Sequence, residues 1–189
     1  MPKTLAKDYL AALKETLDRL PLDGFAALAQ AFRQARDRGA RIFVMGNGGS
    51  AATAAHLACD LNKGACRPEA RRFRVLCLND NLPTLLAYSN DLSYAEVFLE
   101  QLKNFLEPGD VALGISGSGN SENVVRALEW AKSQGAVTAA LTGYDGGRMG
   151  RLADIHCNVP VADMQIAEDA HLIVAHMLMR VFCRDTPAC

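Results

Sequence analysis

RIFVMGNGGSAATAAHLACDL, residues 41–61, carries the fold in outline. The apolar run RIFVMG predicts a buried strand, GNGGS a tight loop, and the alanine-rich stretch over about 51–61 a helix. The next apolar stretch, FRVLCLN around residues 74–78, completes a β-loop-α-β unit. The same order returns downstream. Pro108 and Gly109 turn into the strand DVALGIS, which runs through GSGNS into a helix over 122–134; Gly135 then leads into AVTAALTG, and DGGRMGRLA leads into the strand DIHCNVPV. Helical patterns also cover residues 4–20, 23–38, 82–87, 94–106 and 165–183, with Asp23 the expected N-cap of the second and Gly39 its terminator. Val-, Ile- and Leu-rich strands alternating with helices predict an α/β domain. Its parallel, flavodoxin-like sheet is flanked by helices on both faces, with two N-terminal helices and a long C-terminal one.

Composition narrows the class. At 189 residues and 50% hydrophobic content, the chain suits one compact domain, residues 1–189. Twenty basic against twenty-one acidic side chains leave a net charge of −1, no electrostatic footprint for nucleic acid or an anionic membrane. No apolar stretch has the length of a spanning helix, and the N-terminus is amphipathic without an apolar signal core, so the expected location is the cytoplasm. The six cysteines form no CxxC pair. Three of them, Cys59, Cys77 and Cys157, sit in or beside apolar segments, and reduced packing thiols are expected.

In such a sheet, ligands bind at the carboxyl ends of strands, where loops feed helix N-termini. Both glycine-serine loops fall there. GNGGS offers Asn47, the backbone of Gly48 and Gly49, and Ser50; SGSGNS offers Ser116, Ser118 and Ser121 in front of a helix N-terminus that favours an anion. Hydroxyls without a lysine fit the phosphate monoester of a small molecule. GNGGS is not GxGxxG at the needed spacing and neither loop is GxxxxGK[ST], which disfavours dinucleotides and nucleoside triphosphates.

His56 and Asp60 lie four apart in the helix after GNGGS, on one face, as a metal pair or an acid/base pair would. The last helix carries Glu168, Asp169, His171 and His176. His176 stands among Val174, Ala175, Met177 and Leu178, so it is expected to be buried and to need a partner. A hydrogen-bonded core histidine and a functional one remain equal readings at this point.

GNGGSAATAAH, GISGSGNSENV, LTGYDGG and AEDAHLIVAHML, in that order, resemble the sugar isomerase (SIS) domain family. Within it they are most similar to the phosphoheptose isomerases, which interconvert sedoheptulose 7-phosphate and D-glycero-D-manno-heptose 7-phosphate. The resemblance covers nearly the whole chain. It implies that Asn47, Gly48, Gly49 and Ser50 form the first sugar-phosphate loop and that Ser116, Gly117, Ser118 and Ser121 form the second. It also implies that Asn90 and Asp91 contact the sugar, and that His56 and His176 bind zinc in metal-containing members, His176 being an acid/base partner as well. The chain departs from the family where it has Asp60 for Glu, Glu168 for Gln and Gly117 for Thr.

An aldose–ketose isomerisation needs a base for the carbon-bound proton and an acid to move one between oxygens, through an enediol-type intermediate. Asp60 is the candidate base and His176 the candidate acid/base. His56, Asp60, Glu168 and His176 are the candidate ligands of one Zn2+, and Glu168 is also a candidate substrate contact. A sugar-phosphate-sensing domain or a scaffold associated with a replication initiator would keep the fold but not the histidine and carboxylate set, and another sugar phosphate remains an alternative substrate. The resemblance implies a homotetramer, with residues 1–38 in subunit packing. On a continuous helix Glu168 and His176 would stand about 12 Å apart along the axis and about 80° around it. Either the helix then begins after Glu168, or the two serve different sites and Glu168 enters a neighbouring chain's pocket.

Overall fold

The computed structural model describes residues 1–66, 68 and 70–184. Two N-terminal helices, α1 (Pro2–Asp18) and α2 (Leu22–Arg38), precede β1 (Ile42–Gly46) and α3 (Gly49–Cys59). A π-helical turn, Asp60–Gly64, extends α3 and leads to β2 (Val75–Cys77). Then come α4 (Leu82–Asp91), a 3-10 turn (Tyr94–Glu96), α5 (Val97–Phe105), β3 (Val111–Ser116) and α6 (Glu122–Ser133). The chain closes with β4 (Val137–Thr142), α7 (Gly147–Leu152), β5 (Ile155–Asn158) and α8 (Met164–Arg184).

The five strands form one sheet in the order β2-β1-β3-β4-β5, all parallel, with Val44 opposite Cys77 on one side and Leu113 on the other. This is the flavodoxin-like arrangement expected, and its strand order reverses between β1 and β3. Alternation along β1 shows how both faces are covered. Ile42 and Val44 point into a core with Leu28, Phe32, Leu57, Leu178 and Phe182 from α2, α3 and α8. Phe43 and Met45 point into the opposite core, with Phe98, Leu102, Val124 and Leu128 from α5 and α6. Full burial of each such side chain contributes roughly 1.5–3 kcal/mol, so the central strand anchors both layers.

Three local expectations change. Asp23 lies in the first turn of α2, whose N-cap is the extended Pro21; there its carboxylate still favours the positive end of the helix. Gly39 ends α2 in the left-handed region, as expected. DGGRMGRLA is not a simple connection, because six of its residues form α7 and bury Met149 in the second core. Among the described cysteines all are free, but Cys59 is exposed, not packed. Cys189 lies outside the described residues. No helix among the described residues is long and apolar enough to cross a membrane.

The buried histidine of α8 is His171, fully inaccessible, with neither ring nitrogen at hydrogen-bonding geometry to a partner among the described residues. Desolvation holds its pKa below the ordinary histidine value, partly offset by the nearby Thr142 backbone. Because the folded protein binds this proton less readily than the unfolded chain does, its contribution to stability is present above about pH 6.5 and is lost as pH falls below that value. Thermal melts between pH 7.5 and 5 should therefore show a falling Tm. His171→Leu should flatten part of that slope, and an unchanged slope would count against the assignment.

Candidate functional site

β1 and β3 end side by side at the point where strand order reverses, and each delivers one of the two glycine-serine loops there. Asn47, Gly49, Ser50, Ser116, Ser118 and Ser121 share the lining of a cavity of about 320 Å3 with Gly48, Ile115, Gly117, Met164 and Glu168. The sequence loops thus meet in one cradle. Ser121 occupies the N-cap of α6, yet its side chain makes no capping bond. Its hydroxyl instead pairs with the Ser116 hydroxyl at 3.0 Å, and the Ser118 hydroxyl accepts from the Asn120 amide at 3.2 Å. Three hydroxyls and the positive end of a twelve-residue helix therefore face one space, which suits a phosphate group.

The second loop is held shut by glycine geometry. Gly119 has φ +65°, and a Cβ there would fall 2.1 Å from the Gly146 carbonyl oxygen. An alanine would meet backbone on the far side as well as an unfavourable dihedral. Gly117 has another neighbour: a Cβ there would sit 2.3 Å from the Met164 sulfur, so Met164 of α8 occupies the space that a threonine side chain would need.

Downstream of the cradle, α3 and α8 run side by side in the same direction. Glu168 of α8 lies over Gly49 of α3, and His176 lies beside His56 at Nε2–Nε2 3.1 Å, ring centroids 4.9 Å apart. Further on, Met179 packs on Gly64. His56 Nε2 is 3.4 Å from Asp60 Oδ2, and one ligand atom each from His56, Asp60 and His176 lie within 4.8 Å of one another. Donor atoms on a tetrahedral ion with bonds of about 2.0–2.1 Å stand about 3.3 Å apart. The two close separations match that spacing.

His176 is exposed and so is not a core histidine. Its partner is the other candidate histidine. Glu168 does not join the trio: α8 is continuous from Met164, and the Glu168 carboxylate lies against Gly49 as the single charged side chain among the described residues lining the cradle of its own chain. The four-ligand set expected from the sequence is thus not gathered within one chain: Glu168 stands apart from His56, Asp60 and His176 along α8. Entry into a neighbouring pocket is not needed to place Glu168. Asn90 and Asp91 sit exposed at the end of α4, paired at 2.8 Å, and neither lines the cradle cavity.

Two residues around the cradle were not singled out by the sequence. Asn123 exchanges two hydrogen bonds with Asn47, at 2.9 and 3.0 Å, and the Tyr94 hydroxyl donates to Asn47 Oδ1 at 2.7 Å. Asn123 stands two residues past Ser121 and could have been flagged by its proximity to the loop; Tyr94 gives no local signal. A cavity of about 420 Å3 elsewhere, between β2 and α5, is lined by Leu76, Cys77, Leu78 and Phe105 among others, and it holds neither loop nor histidine.

The SIS domain model matches residues 8–143. A lincomycin biosynthesis protein of Streptomyces lincolnensis is 39% identical over 187 residues, covering 94% of this chain and 68% of that protein. A probable phosphoheptose isomerase of Thermoplasma volcanium is 36% identical over 174 residues, covering 92% of this chain and 88% of its own length. The solved phosphoheptose isomerase of Neisseria gonorrhoeae aligns with a TM-score of 0.89 at 26% identity, over 96% of this chain and 98% of that one.

Proposed function

This chain belongs to the SIS domain family, and from that membership we propose that it is an aldose–ketose isomerase acting on sedoheptulose 7-phosphate to give D-glycero-D-manno-heptose 7-phosphate. The observation that carries the reading is the pairing of a hydroxyl-lined phosphate cradle with a histidine-carboxylate trio further along the same two helices. The phosphate seats on Ser116, Ser118 and Ser121, and its binding energy aligns the distant carbonyl end. Asp60 takes the proton from the carbon beside the carbonyl, and His176 passes a proton between the two oxygens. His56, facing both, holds them in register.

The same three side chains could hold a Zn2+ ion, since His56 Nε2 stands at ligand spacing from both a His176 nitrogen and an Asp60 oxygen, with all three within 4.8 Å of one another. When bound, the ion polarises the carbonyl. Each residue would give the ion one atom, leaving Asp60 a second carboxylate oxygen for proton transfer beside His176.

We place the enzyme in the cytoplasm as a homotetramer. Leu5 and Leu10 of α1 are 62% and 63% exposed, apolar side chains on residues 1–38 suited to burial against another subunit. The open histidine-carboxylate trio gains from the same assembly, because an enclosing neighbour would exclude water from the reaction.

The test is direct. Purified protein should convert sedoheptulose 7-phosphate in a coupled assay, and Ser121→Ala should raise KM by roughly ten- to hundredfold, the worth of one hydrogen bond to a charged group. Absence of turnover across a panel of phosphorylated ketoses would overturn the enzymatic reading; an unchanged KM in Ser121→Ala would overturn the phosphate assignment.

A further inference from the structure

We propose that Asn123 and Tyr94 are positioning residues that fix the Asn47 side chain with one amide hydrogen presented to the substrate. The inference rests on the isomerase reading for its ligand and on the hydrogen-bond geometry for its content. Asn47 Oδ1 accepts from both Asn123 Nδ2, at 3.0 Å, and Tyr94 Oη, at 2.7 Å. An amide oxygen has two lone pairs, so this one is fully used. Asn47 Nδ2 donates one hydrogen to Asn123 Oδ1 at 2.9 Å. The second hydrogen has no protein partner among the described residues, and Asn47 lines the cradle cavity. Asn47 therefore meets a ligand only as a donor, toward a sugar hydroxyl or phosphate oxygen.

The orientation is dictated from outside the pair. Asn123 Oδ1 also accepts the Val124 backbone N–H at 3.0 Å, so the first turn of α6 decides which way the Asn123 amide faces, and Asn123 decides the same for Asn47. A flipped Asn47 would set its NH2 against the Asn123 NH2 and the Tyr94 hydroxyl hydrogen. The lock also crosses the fold. Asn47 follows β1, Asn123 follows β3, and Tyr94 opens the 3-10 turn after α4, so three otherwise independent segments are tied at the mouth of the cradle.

The experiment is a double-mutant cycle. Tyr94 is half exposed, so Tyr94→Phe removes the hydroxyl with the fold kept. It should raise both KM and the calorimetric Kd for sedoheptulose 7-phosphate three- to tenfold, with kcat within twofold, the pattern of a lost binding contact. Asn123→Ala should do the same or more. On an Asn47→Ala background neither change should add more than twofold, because each acts through Asn47. Unchanged affinity in Tyr94→Phe, or effects that multiply with Asn47→Ala, would overturn the proposal. Asn123 is buried, so if its variant does not fold, Tyr94→Phe decides alone. Binding without turnover would sink the isomerase reading and leave the cycle readable in Kd. If the sugar phosphate does not bind at all, the Asn47 side-chain amide in 15N NMR decides: one of its two protons should exchange slowly, and equal fast exchange of both would refute the lock.

Discussion

His176→Gln is expected to lower kcat by at least about 10³ while shifting Tm by no more than about 2 °C. The two halves have separate origins. His176 is exposed at the seam of α3 and α8, and a substitution of an exposed side chain typically changes stability by under about 0.5 kcal/mol. Its Nε2 lies 3.1 Å from the His56 Nε2, and Gln keeps a hydrogen-bonding group there but cannot take and release a proton near neutral pH. General acid–base catalysis is worth about 10²–10⁴, and loss of a zinc ligand would add to it. Activity, melting and metal content measured on the same preparation separate the contributions: loss of turnover with metal retained points to proton transfer, and joint loss points to the ion. Turnover near the wild-type rate would remove His176 from the mechanism.

Asp60→Asn should cost as much. Asparagine matches the shape of aspartate but accepts no proton and ligates a cation weakly, so kcat should again fall by about 10³. The contrast with Glu168 makes this a test of placement as well as chemistry. Glu168 is the charged side chain in a cradle lined also by serine hydroxyls, the Asn47 amide, glycine backbone and the apolar Ile115 and Met164, close to where a phosphate dianion would seat. Glu168→Gln removes a like charge and keeps the shape, so turnover should survive within about threefold and KM should fall. An active Asp60→Asn, or a dead Glu168→Gln with normal Tm, would invert the assignments. Asp60 also opens the π-helical turn, its carbonyl accepting from the Ala65 amide at 2.9 Å; such turns often mark functional positions in helices.

Much of this was legible in the chain. β1 and β3 announced themselves as apolar runs broken by glycine and serine, and the meeting of their loops follows from the strand order that a β-loop-α-β pattern favours. The histidines of α8 were legible too, but by a different route. Relative to Val174, a core residue, a helix places His171 about 60° away and His176 about 160° away. Angular position puts His171 inside and His176 outside, whereas the apolar neighbours of His176 in sequence suggested the reverse. α7 was hidden for a physical reason: GRMGRL is short, and its two glycines, each costing about 1 kcal/mol, offset the helix preference of Arg, Met and Leu. Packing supplies what propensity lacks, with Met149 buried and Gly150 so close to the His156 ring that a Cβ would fall 2.4 Å from its Cε1. The Asn47, Asn123 and Tyr94 lock joins residues 47 to 76 positions apart, and no local pattern reports a contact of that range.

On the proposed isomerase reading, the parallel run of α3 and α8 makes the site a ruler. From Gly49 to His56 the helix advances about 10 Å, and from Glu168 to His176 about 12 Å. An extended seven-carbon sugar, with carbon–carbon bonds of about 1.5 Å, spans about 9–10 Å from its terminal phosphorus to its carbonyl end. Two carbons fewer shorten that reach by about 2.5 Å, enough to strand the carbonyl of a pentose phosphate short of the histidines while its phosphate is seated. Discrimination by length then needs no contact with the missing carbons, because two rigid rods of fixed pitch set the distance at which chemistry can occur. A change of substrate size in such a scaffold would call for a shift of one rod along the other, not for a new pocket.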